Sequence, residues 1–151
     1  MNREYGWLLG LAAIGLYFTG KKDLTFGGKF ALSDLIRSST ANEHGISNVP
    51  GPKEVENLSR IVTEILNPLE AHYPGLTINS GYRSPELNAK LQELGYGAVS
   101  NSLHLQGRAI DIKHPRHSSY ELARGVRDLG LPHSELLPYA SSKGGHLHVA
   151  L

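Results

Sequence analysis

Cysteine is absent from the 151 residues of this sequence. The absence excludes disulfides and thiolate metal sites, so any metal must be held by His, Asp or Glu side chains. An excess of charge of one sign is also lacking, since 15 Lys and Arg residues against 14 Asp and Glu residues give a net charge of +1. The basic residues are scattered along the chain, and we therefore expect no nucleic-acid partner.

The sequence also lacks an apolar run long enough to cross a bilayer in the usual way. Residues 5–18 are largely apolar, with Arg3 before them and Lys21 and Lys22 soon after. As a helix this stretch reaches only about 21 Å, against roughly 30 Å of hydrocarbon. We interpret it as a short uncleaved membrane anchor. A signal peptide, which the following lysines disfavour, and a helix buried in an assembly remain open.

The rest of the chain has the pattern of one α+β domain. We divide the sequence into a hydrophobic N-terminal helix at 1–20, a glycine-bearing linker at 21–29 and a domain at 30–151. Apolar spacing and capping signals predict four helices in the domain. Ser33 is the expected N-cap of the first, Pro68 should kink or end the second, and Leu122, Val126 and Leu129 should be buried on the last. The predicted helices are Phe30–Ala41, Lys53–Tyr73, Pro85–Leu94 and one that follows Ser118.

Short alternating segments predict the strands, at Leu76–Ser80, Ala109–Ile112, Glu135–Tyr139 and His146–Ala150. The last strand should return antiparallel after the turn residues Ser141 to Gly145. We therefore expect a small antiparallel sheet with helices packed on one face and a cleft on the other.

The histidines and one aspartate predict that this cleft is a zinc cleft. His104 is followed by Asp111, and His146 and His148 lie near the end of the sequence. Two imidazole nitrogens and one carboxylate oxygen form the ligand set of a catalytic zinc site with a position left open for water. On alternating strands, Asp111 and both late histidines can face one cleft, while Ile110 and its alternating neighbours face the core. Four further histidines are expected only at the surface: His44, His72, His114 and His117.

Three motifs in order resemble a known enzyme family. They are Ser80-Gly-Tyr-Arg-Ser-Pro85 with Asn88, Ser102-x-His-x-x-Gly-x-Ala-x-Asp111, and Leu147-His-Val-Ala150. Together they resemble the zinc D-alanyl-D-alanine carboxypeptidases and L-alanyl-D-glutamate endopeptidases that cut bacterial peptidoglycan stem peptides. The resemblance covers about residues 30–151.

The resemblance implies roles for individual residues. His104, Asp111 and His148 would be the zinc ligands, and Arg83 would bind a substrate carboxylate or the oxyanion. Ser102 would hydrogen-bond the substrate or a ligand, with a loop-capping role as the alternative.

The general base departs from the family pattern. Several members have an acidic residue three positions before the last ligand, where this chain has Gly145. We therefore expect His146 to be the base, because an imidazole near pKa 6.5 can accept a proton from water and return it to the leaving amine. Glu135 or His133 would share or replace that role.

The resulting hypothesis is a zinc metallopeptidase acting on peptidoglycan, of carboxypeptidase or endopeptidase type. One alternative is a catalytically silent zinc-binding or assembly module, for which hedgehog signalling domains are the precedent that the resemblance brings. Another is a bacteriophage component, such as an endolysin or a virion-associated enzyme. We expect the protein to be membrane-associated or virion-associated through residues 5–18 and to act in the periplasm or cell wall, with secretion as the alternative.

Overall fold

The structure is a computed structural model and describes residues 23–141 and 145–151. The predicted hydrophobic helix at 1–20 lies outside the described residues, and the division at residues 20 and 29 stays a prediction. Among the described residues, every helix is too short or too polar to span a bilayer. The helices are α1 (Leu32–Ile36), α2 (Ser39–His44), α3 (Pro52–Arg60), α4 (Asn67–His72), α5 (Pro85–Glu93) and α6 (Ser119–Asp128).

The first predicted helix is in fact two short helices, and Ser33 is not its cap. Helix α1 begins after Ala31, whose backbone N–H donates to the Asp34 carboxylate at 3.0 Å. The Ser33 hydroxyl lies within the helix and donates to Asp23 instead. Helix α2 is capped by Ser38, whose hydroxyl accepts from the Ala41 N–H at 3.2 Å. An acidic side chain therefore supplies the cap that we assigned to a hydroxyl.

The second predicted helix does not end at Pro68. It continues to His72, but residues Ile61–Leu66 between α3 and α4 form a π-helical segment. Proline has no N–H to donate, and in an α-helix its ring would clash with the carbonyl four residues earlier. The wider π turn just before Pro68 accommodates the ring, and the Asn67 N–H donates to the Val62 carbonyl across it.

Four antiparallel strands form one sheet in the order β1-β2-β4-β3. They are β1 (Thr77–Ser80), β2 (Ala109–Lys113), β3 (Glu135–Tyr139) and β4 (His146–Ala150). The predicted α+β class with a small antiparallel sheet is thus confirmed. On the face toward the helices, the strand side chains are fully buried, as the alternation predicted: Ile110, Ile112, Leu147 and Val149.

Helices α3 to α4 and α6 pack against that buried face. Their core side chains include Leu58, Ile65 and Leu66, which are 0% exposed. Helix α6 begins at the predicted capping box, in which Ser118 and Glu121 bond reciprocally. The prediction for Leu129 is wrong. This residue is 40% exposed, because the helix ends at Asp128 and Leu129 is its C-cap.

Candidate metal centre

Strand pairing places Asp111 beside His148. The two residues are directly opposite each other in the antiparallel register of β2 and β4, so their side chains leave the same face of the sheet. This is the face away from the buried aliphatic layer. The Nδ1 atom of His148 lies 2.8 Å from Oδ1 of Asp111.

His104 reaches the same point from a short 3₁₀ helix, Leu103–Gln106, which precedes β2. The Ser102 hydroxyl caps this turn by accepting from the His104 N–H at 3.3 Å. Gly107 ends it with φ 64°, and a Cβ on this residue would lie 2.6 Å from the Glu54 carbonyl oxygen. The glycine of the second motif is therefore required by both its backbone conformation and its packing.

The three side chains can hold one metal ion. One ligand atom from each of His104, Asp111 and His148 lies within 4.8 Å of the other two. Nε2 of His104 is 3.4 Å from Oδ1 of Asp111, close to the roughly 3.3 Å that separates two ligands about 2.0–2.1 Å from a tetrahedral zinc.

The outer nitrogens of both imidazoles also fit a metal site. Nδ1 of His104 lies 2.6 Å from the Gly81 carbonyl oxygen, which can only accept a hydrogen bond. That nitrogen therefore carries the proton, and Nε2 keeps its lone pair for a metal. Nε2 of His148 lies 3.0 Å from Oε2 of Glu135. An acceptor on the outer nitrogen is the usual arrangement for metal-bound histidine, because it fixes the tautomer and the ring orientation.

The charges around His104, Asp111 and His148 favour a positive ion between these side chains. Burial opposes ionisation of Asp111, but hydrogen bonds with His104 and His148 outweigh it and hold the pKa of Asp111 well below its usual range. Burial likewise lowers the pKa of His148, but the hydrogen bonds and negative charges of Asp111 and Glu135 outweigh it and raise that pKa. The donor set is thus one ionised carboxylate and two imidazoles.

Arg83 lies against the outer oxygen of Asp111. Its Nη2 donates to Oδ2 of Asp111 at 3.1 Å, and its Nε donates to the Ser80 hydroxyl at 3.0 Å. The side chain is 15% exposed. Burial lowers the pKa of Arg83 and Asp111 opposes the shift, yet a guanidinium stays charged at any ordinary pH. The remaining N–H groups of the guanidinium are available to a ligand.

His146 lies on the same face of β4 as His148, and its ring stacks on Tyr139 with the centroids 4.8 Å apart. Burial lowers its pKa. Gly145, which replaces an acidic residue of the family pattern, has no room for a side chain, since a Cβ would lie 1.7 Å from the Tyr139 carbonyl oxygen. Close packing against the Tyr139 backbone thus excludes an acidic side chain at position 145.

A groove of about 890 Å³ contains the cluster, and Arg83, Ser102, Glu135 and His146 also line it. The structure thus brings together all the predicted site residues except His133. That side chain is exposed, lies outside the groove and bonds the Leu131 carbonyl at 2.9 Å.

Sequence analysis missed three partners of the cluster: the Ser80 hydroxyl, the Gly81 carbonyl and the Tyr139 ring. Ser80 and Gly81 belong to the first motif, so their position beside Arg83 was the available signal. The stacking of Tyr139 on His146 follows from the pairing of these two residues in β3 and β4.

Among the described residues, the fold and the cluster define a class of protein, a small α+β domain with three side chains in a groove that could hold a metal ion. A family model described as peptidase M15 matches residues 28–150. The chain belongs to this family, which confirms the resemblance and implies a hydrolase. The crystal structure of the L-Ala D-Glu endopeptidase ChiX from Serratia marcescens is similar, with 18% identity and a TM-score of 0.45 over 66% of this chain and 86% of that chain. No curated protein matches the chain.

Proposed function

We propose that the protein is a zinc-dependent peptidase that hydrolyses peptide bonds in bacterial peptidoglycan stem peptides. The reaction is of the D-alanyl-D-alanine carboxypeptidase or L-alanyl-D-glutamate endopeptidase type. The observation that carries the proposal is the convergence of His104, Asp111 and His148 within 4.8 Å, in a chain of the peptidase M15 family. These three side chains would hold the zinc ion.

A zinc ion in this site would supply a Lewis acid and would make water nucleophilic near neutral pH. His104, whose Nδ1 is engaged with the Gly81 carbonyl, would hold it with its free nitrogen. His148, whose Nε2 donates to Glu135, and Asp111, whose Oδ2 accepts from Arg83, would supply the other two ligands.

Arg83 binds the negative charge of the substrate. Its bonds to Ser80 and Asp111 fix the guanidinium at the side of the cluster and leave further N–H donors free for the groove. Such a donor stabilises a substrate carboxylate and the oxyanion that develops on the attacked carbonyl. The Ser102 hydroxyl is engaged with the His104 N–H, which supports the capping role for this residue.

His146 is the general base in this proposal. Its lowered pKa keeps the imidazole neutral near pH 7, so it can take a proton from the attacking water and return it to the leaving amine. Glu135 orients His148 and is not the base, because its carboxylate is already bonded to Nε2 of that ring. Substitution of His146 should therefore affect catalysis, whereas substitution of Glu135 should affect the orientation of His148.

Digestion of purified muropeptides by the zinc-loaded protein tests the proposal. Mass spectrometry of the products should show released D-alanine or split stem peptides, and metal analysis of the same sample should show zinc. A parent protein that binds zinc and cleaves no stem peptide would support the silent zinc-binding module instead. An active parent that His146→Ala inactivates without loss of zinc supports the enzyme.

We further propose that residues 5–18 deliver the enzyme to the wall by membrane or virion association. The support is the apolar composition of this stretch and its flanking basic residues. Fractionation of expressing cells should find the full chain with membranes or particles and a chain lacking residues 1–22 in the soluble fraction. Equal solubility of the two chains would contradict delivery by this segment.

A further inference from the structure

Asn48 is a buried asparagine in the loop between α2 and α3, and the function proposed above gives it no role. Its side-chain amide makes three hydrogen bonds, all to backbone groups. Nδ2 donates to the Ile36 carbonyl at 2.7 Å and to the Tyr82 carbonyl at 3.0 Å. Oδ1 accepts from the Ser84 N–H at 2.7 Å. The residue is 9% exposed, so water cannot readily replace these bonds.

Two of the three bonds reach the peptide groups on either side of Arg83. Tyr82 and Ser84 are its neighbours in the chain, and one side chain thus fixes the peptide groups on both sides of it. The third bond connects Asn48 to the end of α1 at the Ile36 carbonyl. The segment has no regular secondary structure of its own, since β1 ends at Ser80 and α5 begins at Pro85. Its backbone groups therefore depend on long-range partners.

The same segment touches the metal cluster. The Arg83 N–H donates to the His104 carbonyl at 3.1 Å, and the Gly81 carbonyl lies 2.6 Å from Nδ1 of the His104 ring. The Tyr82 N–H donates to the Leu35 carbonyl at 2.8 Å. Gly81 itself is pressed against α1, because a Cβ there would lie 2.1 Å from the Leu35 carbonyl oxygen.

We infer that Asn48 is a positioning residue for Arg83: its amide locks the peptide groups that flank Arg83 and so holds the guanidinium against Asp111 at the groove. Asn48 itself touches neither the cluster nor the groove. The kinetic consequence of this positioning role rests on the proposed function, whereas the structural consequence does not. When zinc is saturating, the inference assigns the effect on catalysis to the Arg83 side chain, which makes it separable from a general loss of stability.

Amide hydrogen exchange of Asn48→Ala tests the structural part without any activity. The decisive probe is the Arg83 N–H, whose acceptor is His104 and not Asn48. We expect its protection to fall at least about tenfold more than global unfolding explains. Val126→Ala, a core substitution on α6 at a fully buried residue, is the control for lost stability. In that variant, Arg83 exchange should follow global stability only.

Asn48→Asp is the second variant, in case Asn48→Ala does not fold. It keeps the shape and the oxygen that accepts from Ser84, but loses both donors to carbonyls. The Ser84 amide should then stay protected while the Arg83 amide loses protection. In a folded Asn48 variant, an Arg83 amide that loses no more protection than it loses in Val126→Ala would overturn the inference.

Kinetics test the consequence for catalysis in a double-mutant cycle. With zinc saturating, Asn48→Ala should lower kcat/KM roughly tenfold to a hundredfold, as a misplaced binding group does. In an Arg83→Ala background, the same substitution should have almost no further effect, because the group that it positions is gone. Equal losses in both backgrounds would show a general structural role and overturn the inference. Absence of cleavage by the parent would count against the proposed function, and the exchange result would still decide the role of Asn48.

Discussion

Glu135→Gln separates the two roles open to Glu135. Its Oε2 lies 3.0 Å from Nε2 of His148, whose other nitrogen faces Asp111. Glutamine keeps the size and an acceptor oxygen but removes the charge. A carboxylate that orients a metal-bound histidine typically contributes 10–100-fold to metal affinity. The Glu135 side chain is 47% exposed, so solvent screens its charge, and we expect a loss at the lower end, roughly tenfold.

The assay is a competitive zinc titration against a chelator, followed by kcat at saturating zinc. An orienting role predicts weaker zinc binding and a kcat near that of the parent once the site is full. Unchanged zinc affinity with a kcat lowered about 10²–10⁴-fold would instead show that Glu135 is the general base and refute our assignment. Glu64→Gln, at a half-buried glutamate of the π-helical segment that is paired with Arg60, should change neither quantity.

The remaining predictions concern the base and the stability of the fold. His146→Ala should lower kcat about 10²–10⁴-fold and leave zinc content unchanged, as metal analysis beside initial rates can show. Gly145→Ala should lower the free energy of unfolding by about 1–3 kcal/mol in urea titrations, because its Cβ would clash with the Tyr139 carbonyl. Glu70→Gln should destabilise the protein by about 1–2 kcal/mol at pH 7. Burial opposes ionisation of Glu70, but bonds from Lys29 and two backbone N–H groups outweigh it and lower its pKa. The stabilisation is therefore present above the unfolded-state pKa and is lost as pH falls through the folded-state value, so the two proteins should converge in acid. Equal stability at pH 7 would contradict this.

The parts of the site that lie on strands could be predicted because strand periodicity is local. Alternation along 109–112 and 146–150 places Asp111 and His148 opposite the aliphatic side chains of their own strands. The pairing of β2 with β4, which the sequence did not predict, brings the two residues together. The buried aliphatic layer on the other face follows from the same alternation. Residues whose partners are fixed by neighbours in sequence, such as the capping pair of α6, are predicted for the same reason.

The features that the sequence did not reveal have two causes, local competition between neighbouring groups and long-range side-chain bonds. Ser33 has the residue type of an N-cap, but it lies inside the helix, and the Asp34 carboxylate accepts the hydrogen bond of the Ala31 N–H. Pro68 does not end the helix, because the π turn just before it accommodates the proline ring. The bonds of Asn48 to residues 12, 34 and 36 positions away leave no periodic trace in the sequence. Such long-range side-chain bonds shape the segment that carries Arg83.

Zinc stoichiometry across a set of ligand variants tests the central claim most directly. Equilibrium dialysis with metal analysis should find one zinc per parent chain and a large loss in each of His104→Ala, Asp111→Ala and His148→Ala. His114→Ala removes a half-buried imidazole that bonds the Pro74 carbonyl outside the groove and should retain the full zinc content. Folded ligand variants that bind zinc as tightly as the parent would contradict the account.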